Sequence, residues 1–113
     1  MKPKVFIVEK STKYNVAAAE SFGTIVYLSD KALHPFDVDM NVKVIAEALE
    51  LHRYDSEVDY ICFTGNSILL GLLMGVVMCQ TEEAKVLLFD ARESRYKERL
   101  FKDPSPVDSG RKA

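Results

Sequence analysis

Residues 58–92 carry the pattern that most restricts the fold. Residues 58–63 and 84–89 are short runs rich in the β-branched and aromatic residues that favour strands. Between them, residues 68–79 are apolar at every position except Gly71 and Gly75. Two buried parallel strands joined by a crossover helix have this pattern. It predicts an α/β fold with its ligand site in the turn after the first of these strands, but it identifies neither a ligand nor a reaction.

Two further strand patterns occur nearer the amino terminus. Residues 4–8 form a compact apolar run, and residues 24–28 form another. Between them, residues 16–22 predict a short helix with Asn15 as N-cap and Gly23 just beyond its end. Because this helix is only about two turns long, a hairpin is an alternative, but we expect parallel strands joined by a crossover.

A longer amphipathic helix follows Phe36 and is expected to end near Arg53. Asp37 or Asp39 is a candidate for its N-cap, where a carboxylate faces the positive end of the helix dipole. The apolar stripe of this helix advances by four or three residues at a time and consists of Val38, Val42, Ile45, Leu49 and His52.

The carboxy-terminal part predicts a hairpin and a tail. Residues 90–94 form a short turn, and residues 95–101 then alternate as an edge strand antiparallel to residues 84–89. Residues 102–113 contain two prolines and a glycine without periodicity. We therefore expect a single domain of residues 1–101 followed by a disordered tail.

Together these elements predict a small Rossmann-like α/β fold, a reduced flavodoxin-like three-layer sandwich. Its mainly parallel sheet has about five strands in the order 2-1-3-4-5, with the antiparallel hairpin at one edge. In this order the winding reverses between strands one and three. The loops after those strands, residues 9–13 and 64–67, then face one another across a crevice.

Composition indicates a soluble globular chain. A net charge of −2 argues against a general affinity for nucleic acid or anionic membranes. Residues 68–79 are too few to span a bilayer, and the first apolar run is too short for a signal peptide. Cys62 and Cys79 lie in apolar runs and are expected to be buried thiols, in keeping with a cytoplasmic location.

The turn at residues 64–67 is the candidate ligand site. Gly65 permits a backbone conformation closed to other residues, and Asn66 or Ser67 is expected to cap the next helix. Free N–H groups at that helix end accept phosphate, carboxylate or another anion. Hydroxyl groups add donors, and the predicted ligand-binding residues are Ser11, Thr12, Thr64, Gly65, Asn66 and Ser67. The alternative is that these residues only start the helix.

No catalytic or cofactor motif accompanies this turn. The sequence lacks both the G-x-x-x-x-G-K-[ST] and the G-x-G-x-x-G phosphate motifs. Capping and turn formation explain the acids nearest to loop ends, which are Asp37, Asp39 and Asp90. We therefore expect no catalytic residues, no metal site and no cofactor.

The helix predicted for residues 68–79 is apolar all round, so its outer side needs a cover. Gly71 and Gly75 lie one turn apart and suit close packing against the sheet or a symmetry-related helix. A homodimer is therefore expected. Its predicted interface residues are Leu69, Leu70, Leu73, Met74 and Val77.

Basic residues cluster in the carboxy-terminal hairpin, at Arg92, Arg95, Lys97, Arg99 and Lys102. Tyr96 and Phe101 between them give a superficial likeness to a nucleic-acid-binding strand. Acidic residues in the same stretch favour a solvated edge strand instead. Nucleic acid is accordingly a less favoured partner.

Four short segments resemble small Rossmann-like proteins encoded by bacteriophages. They are Gly23-x-Ile25-Val26-Tyr27-Leu28, Pro35-Phe36-Asp37-x-Asp39, Asp59-Tyr60-x-x-x-Thr64-Gly65-Asn66 and Leu87-Leu88-Phe89-Asp90-Ala91-Arg92. The resemblance covers most of residues 4–101. It implies a viral accessory protein and implies no activity or catalytic residues.

We therefore expect a non-catalytic α/β binding module, a phage accessory protein of the host cytoplasm that binds a host or viral protein or a small anionic ligand. Two alternatives stay open. One is a small enzyme that acts on a nucleotide or phosphoester at residues 64–67. The other is a nucleic-acid contact protein that uses residues 92–102.

Overall fold

The strands and helices follow the predicted order along the chain. A computed structural model describes residues 2–10 and 16–102. The strands are β1 (Lys4–Ile7), β2 (Thr24–Tyr27), β3 (Tyr60–Cys62), β4 (Glu83–Asp90) and β5 (Arg95–Lys102). The helices are α1 (Val38–Leu51), α2 (Ser67–Met78) and a 3₁₀ helix at Ala17–Ser21.

The five strands form one mixed sheet in the order β2-β1-β3-β4-β5. β1 pairs in parallel with both β2 and β3, and β3 pairs in parallel with β4. β5 runs antiparallel to β4 at the edge. The predicted strand order and the edge hairpin are confirmed, and the alternative of a hairpin between the first two strands is wrong.

The two faces of the sheet are covered unequally. On one face, both α-helices join a core that includes Phe6, Ile45, Ile61, Leu73 and Val86. On the other face, the 3₁₀ helix joins a smaller core of Val5, Ile7, Ala19, Cys62, Leu87 and Tyr96. The connection from β1 to β2 and the connection from β2 to β3 cross the sheet in opposite directions, which places them on opposite faces.

The first predicted helix is shorter and tighter than expected. Only Ala17–Ser21 is helical, in the 3₁₀ form, and Val16 precedes it without a side-chain capping bond. Asn15, the predicted N-cap, lies outside the described residues. Gly23 follows the helix as predicted, but a close approach explains it. A Cβ there would lie against the Pro3 carbonyl oxygen and 2.8 Å from its carbon.

The buried side of α1 begins later than the sequence indicated. The predicted stripe reaches the core at Ile45, whereas Val38 and Val42 are 44% and 36% exposed. Asn41 is buried in their place, because its Nδ2 donates to the His34 carbonyl oxygen at 2.7 Å. A hydrogen-bonded polar side chain therefore occupies the buried position in the first turn of α1, where the pattern predicted apolar side chains.

A buried carboxylate joins the starts of β1 and β3. Asp59 has no exposed surface, and its oxygens accept from the backbone N–H groups of Lys4 at 2.9 Å and Asp55 at 2.8 Å. The Lys4 ammonium lies 3.3 Å from the same carboxylate. Because a buried charge requires such partners, Asp59 fixes the position of β1 relative to β3.

Strand β5 includes Lys102, one residue beyond the predicted end of the last strand. The rest of the predicted tail, residues 103–113, lies outside the described residues. Within residues 2–10 and 16–102, no helix has both the length and the apolar character needed to cross a membrane.

Candidate functional site

The predicted crevice lies at the carboxyl ends of β1 and β3, where the winding reverses. Two of its predicted ligand residues, Ser11 and Thr12, lie outside the described residues. The other four occupy residues 64–67, between β3 and the first turn of α2. The turn on the β3 side can therefore be judged residue by residue.

The turn has the backbone chemistry that the sequence predicts. Gly65 has a φ of 116°, and Asn66 is the N-cap of α2. The Asn66 Oδ1 accepts from the N–H of Ile68 at 2.8 Å and of Leu69 at 3.3 Å, and the Leu70 N–H bonds to the Asn66 carbonyl at 3.0 Å. An anion at this helix end would have to compete with the Asn66 side chain for its donors.

Thr64 lies beside Tyr96, a residue of the core on the face opposite the α-helices. Its backbone N–H donates to the Cys62 carbonyl at 3.0 Å. Burial raises the pKa of the neighbouring Tyr96 hydroxyl to about 12, and hydrogen bonding to the Thr64 side chain partly offsets that rise in pKa. Ser67 is exposed at the start of α2. Thr64 and Ser67 therefore do not converge on one point.

Glu9 has a structural role that the sequence did not reveal. It follows β1, and its Oε2 accepts from the Leu33 N–H at 2.6 Å. The Lys10 N–H also donates to the Ser29 carbonyl at 2.9 Å. These bonds hold the loop after β2 against the crevice, and the only sequence signal was a single acid at the end of a strand.

The acids near loop ends act in turns. The Asp90 Oδ1 accepts from the backbone N–H of Arg92 at 3.0 Å and of Glu93 at 3.4 Å. The hydrogen bond from Lys97 is the main reason that the pKa of Asp90 is lowered. Asp37 takes the N-cap position of α1, although its side chain makes no capping bond. Among the described residues, no three His, Cys, Asp or Glu side chains are grouped to hold a metal ion.

The two thiols differ in exposure. Cys62 is buried as predicted, and burial raises the pKa of its thiol to about 11. The prediction that Cys79 is also buried is wrong, because Cys79 is exposed. It is the C-cap of α2 and continues the outward side of the helix, which the apolar run in the sequence does not distinguish from the inward side.

We expect a thiol reagent such as dithionitrobenzoate to modify one cysteine of the native chain near neutral pH. Cys79 reacts because it is exposed, whereas Cys62 is buried and holds its proton. Absorbance at the thionitrobenzoate band measures the stoichiometry. Denaturant should release the second thiol, and Cys79→Ser should remove the native reaction. Two reactive thiols in the native chain would contradict the burial of Cys62.

The predicted interface residues of α2 mostly face inward. Leu69, Leu73 and Val77 have no exposed surface, Met74 is 8% exposed, and all four belong to the core of the helix side. Leu70 is half-buried. A contact of these residues with another chain stays a prediction, for which their burial leaves little free area.

The outward side of α2 is apolar and open. It consists of Ile68, which is 39% exposed, and of the exposed residues Gly71, Gly75 and Cys79. A Cβ added at either glycine would meet nothing within 4 Å. The predicted packing of these glycines against the sheet is therefore wrong, because α2 turns its larger side chains to the sheet instead.

Beside α2, the helix-side face of the β4–β5 hairpin is also uncovered. Leu88 and Phe101 are 39% and 41% exposed there. The register pairs Val86, a helix-side core residue, with Arg99, and Leu88 with Lys97. Arg95, Lys97, Arg99 and Phe101 therefore share this face, because side chains alternate along a strand. A groove of about 370 Å³ runs between Leu88 and the basic side chains.

Ion pairs neutralise part of this basic face. The Lys97 ammonium lies 2.9 Å from Asp90 and 2.7 Å from Glu93, and Arg95 lies 2.9 Å from Glu93. Arg99 donates to the Glu98 carbonyl at 2.7 Å and pairs with no carboxylate in residues 2–10 and 16–102. Arg99 is thus a cation available to a partner.

The outward side of α2 and the helix-side face of the hairpin are neighbours, since α2 packs above β3 and β4. We call them together the α2–hairpin surface, which consists of Ile68, Gly71, Gly75, Cys79, Leu88, Arg95, Lys97, Arg99 and Phe101.

The model of a family described as Phage Pam3 gp32-like protein matches residues 3–102. The chain belongs to this family. The match spans both α-helices and all five strands, and it confirms the resemblance to small phage-encoded proteins. Comparison with curated proteins and with solved structures gave no match. Because the Pam3 gp32-like description states an origin and no activity, function has to be argued from the geometry.

Proposed function

We propose that this Pam3 gp32-like chain is a non-catalytic binding module that contacts a protein partner through the α2–hairpin surface. Its fold is best described as a reduced Rossmann-like, flavodoxin-like sandwich, which the strand order and the reversal at β1 support. It acts in the host cytoplasm as a phage accessory factor. The observation that carries the proposal is the open outward side of α2, which bears no polar residue from Ile68 to Met78.

The chemistry of this surface suits a protein. A helix at the surface of a monomer normally presents a polar outer side, so an apolar one indicates an interaction site. Here the apolar strip continues onto Leu88 and Phe101 of the hairpin, with Arg95 and Arg99 beside them. Apolar centres with aromatic and arginine side chains are the composition of protein interfaces.

The small anionic ligand and the phosphoester enzyme have less support. Two donors that an anion would use at the start of α2, the N–H groups of Ile68 and Leu69, are already bonded to the Asn66 side chain. The Cys62 thiol nearby has a pKa of about 11 because it is buried, so it is a poor nucleophile at neutral pH.

A nucleic-acid partner is also less well supported. Lys97 and Arg95 on the hairpin are paired with Asp90 and Glu93, which reduces the charge that phosphates would meet. The chain as a whole has a net charge of −2. Backbone binding to nucleic acid depends on such unneutralised cations.

Pairwise co-expression with a differently tagged second copy of the chain, and with the other proteins encoded by the phage, tests the proposal. Ile68→Lys and Leu88→Lys alter the α2–hairpin surface, and Phe36→Lys is a control at a 76% exposed residue in the loop before α1. We expect at least one protein to co-purify with the unaltered chain and the control. Each surface variant should retain it about tenfold less, which corresponds to about 1.4 kcal/mol. Retention that is equal in all four chains, or no retained protein, would contradict the proposal.

A further inference from the structure

We infer that the protein partner of the α2–hairpin surface is a second copy of this chain, related to the first by a two-fold axis parallel to the strands. This inference rests on the proposed function and adds the identity of the partner. In such a dimer α2 lies against α2, and α1 of each copy covers the open hairpin face of the other.

The outward side of α2 fits a copy of itself. A two-fold contact is made by the same patch on both chains, so an apolar helix side is complementary to itself. Gly71 and Gly75 have open space around them, which lets a second helix approach to the short end of the usual 8–10 Å axis separation. Ile68 is the one bulky side chain of this side and faces Ile68 of the other copy at one end of the helix pair.

The charges select the direction of the two-fold axis. The outer side of α1 carries Asp39, Lys43, Glu47 and Glu50, all exposed, which is three carboxylates against one ammonium. α1 flanks α2 on one side, and the hairpin flanks it on the other. An axis across the strands would place this acidic side against its own copy. An axis along the strands places it against the basic hairpin face, where Arg99 has no carboxylate partner within the described ranges.

A two-fold axis parallel to the strands leaves the height of each group along the strands unchanged. Glu47 of one copy can therefore meet Arg99 of the other only if the two residues lie at similar heights. α1 ends at Leu51, so Glu47 lies four residues, or about 6 Å, above that end. Arg99 pairs with Val86, three residues, or about 10 Å, above the start of β4. If the end of α1 is level with the start of β4, the two groups differ in height by about 4 Å, which is within the reach of an arginine side chain.

The contact area is adequate for a weak to moderate dimer. α2 has twelve residues and is about 18 Å long. With a neighbour about 10 Å away on each side, the face measures roughly 18 by 30 Å. Two such faces bury on the order of 1,100 Å², near the lower limit of specific interfaces. We therefore expect dissociation constants in the micromolar range.

Sedimentation equilibrium of the full chain tests the dimer. At concentrations well above the micromolar range we expect a mass that approaches twice 12.8 kDa for the unaltered chain and for Phe36→Lys. Gly75→Leu should be monomeric, because the added side chain separates the two helices. Since nothing lies within 4 Å of that position and leucine favours helices, this variant should stay folded by circular dichroism.

A charge exchange tests the axis. Each pair occurs twice in a symmetric dimer, so Arg99→Glu and Glu47→Lys should each weaken association by about tenfold. Arg99→Glu combined with Glu47→Lys should restore it. Single variants that leave association unchanged would overturn this axis. A combined variant that associates no more tightly than the single variants would also overturn it.

A short bismaleimide provides a second readout, because Cys79 faces Cys79 of the other copy in this arrangement and Cys62 is buried. The unaltered chain should form a covalent dimer that Cys79→Ser and Gly75→Leu abolish. A dimer that survives Gly75→Leu uses another surface and overturns the inference. If the unaltered chain is monomeric but loses a phage protein on Leu88→Lys, the self-association fails while the proposed function stands. If it is monomeric and binds no protein there, both fail.

Discussion

Asp59→Ala is expected to lower the free energy of unfolding by about 3 kcal/mol, although Asp59 lies far from any candidate site. The substitution leaves two partly buried backbone N–H groups, those of Lys4 and Asp55, without their acceptor. It also leaves the Lys4 ammonium without the carboxylate 3.3 Å away. Removal of one member of a buried charged network is costly because the remaining members stay desolvated.

Urea unfolding followed by circular dichroism measures this loss. Asp59→Asn keeps one carbonyl acceptor, so its unfolding midpoint should lie between those of the unaltered chain and Asp59→Ala. Asp55→Ala is the matched surface control, because its carboxylate only accepts from the nearby Glu57 N–H in an exposed turn. An unfolding midpoint of Asp59→Ala equal to that of the control would show that the buried carboxylate does not hold β1 to β3.

Gly23→Ala should destabilise the chain by about 3 kcal/mol, through overpacking against the backbone. The new Cβ would lie against the carbonyl oxygen of Pro3, and this oxygen also accepts from the Thr24 N–H at 2.9 Å. Neither group can rotate away, so β1 and β2 must separate at their first residues.

Gly75→Ala is the matched control, because the same atom enters open space there. It should stabilise the monomer by up to about 1 kcal/mol, since alanine favours helix over glycine. Thermal unfolding at concentrations below self-association compares the two variants. Equal effects of the two substitutions would contradict the close approach at Gly23.

The sequence predicted the parts of the fold that depend on local periodicity. The apolar runs in residues 58–92 gave the unit of β3, α2 and β4, and the short connection after β4 gave the antiparallel edge. The turn chemistry of Gly65 and Asn66 was also predictable, because it depends on neighbouring backbone groups alone.

The buried polar residues could not be predicted in this way. Asp59 and the half-buried Glu9 accept hydrogen bonds from Lys4 and Leu33, which are distant in sequence, and Asn41 donates to His34 outside its own helix. Periodicity carries no record of such partners. The same holds for the sides of α2. A helix that is apolar all round gives no sequence signal for which side meets the sheet. The sequence therefore left open whether Gly71 and Gly75 meet the sheet or a second helix, and its prediction that Cys79 is buried is wrong.

The candidate crevice shows a related limit. The sequence indicated correctly that Asn66 could cap a helix and that a helix start can bind an anion. It could not indicate that capping by Asn66 occupies N–H groups that a bound anion would need, namely those of Ile68 and Leu69.

The most direct measurement is an isotope-filtered nuclear Overhauser experiment on a sample that mixes labelled and unlabelled copies of the chain. It detects only contacts between different copies. The arrangement along the strands predicts contacts to the methyl groups of Ile68 and Leu88. A sample well above the micromolar range that shows no contact between copies at these methyl groups would contradict it.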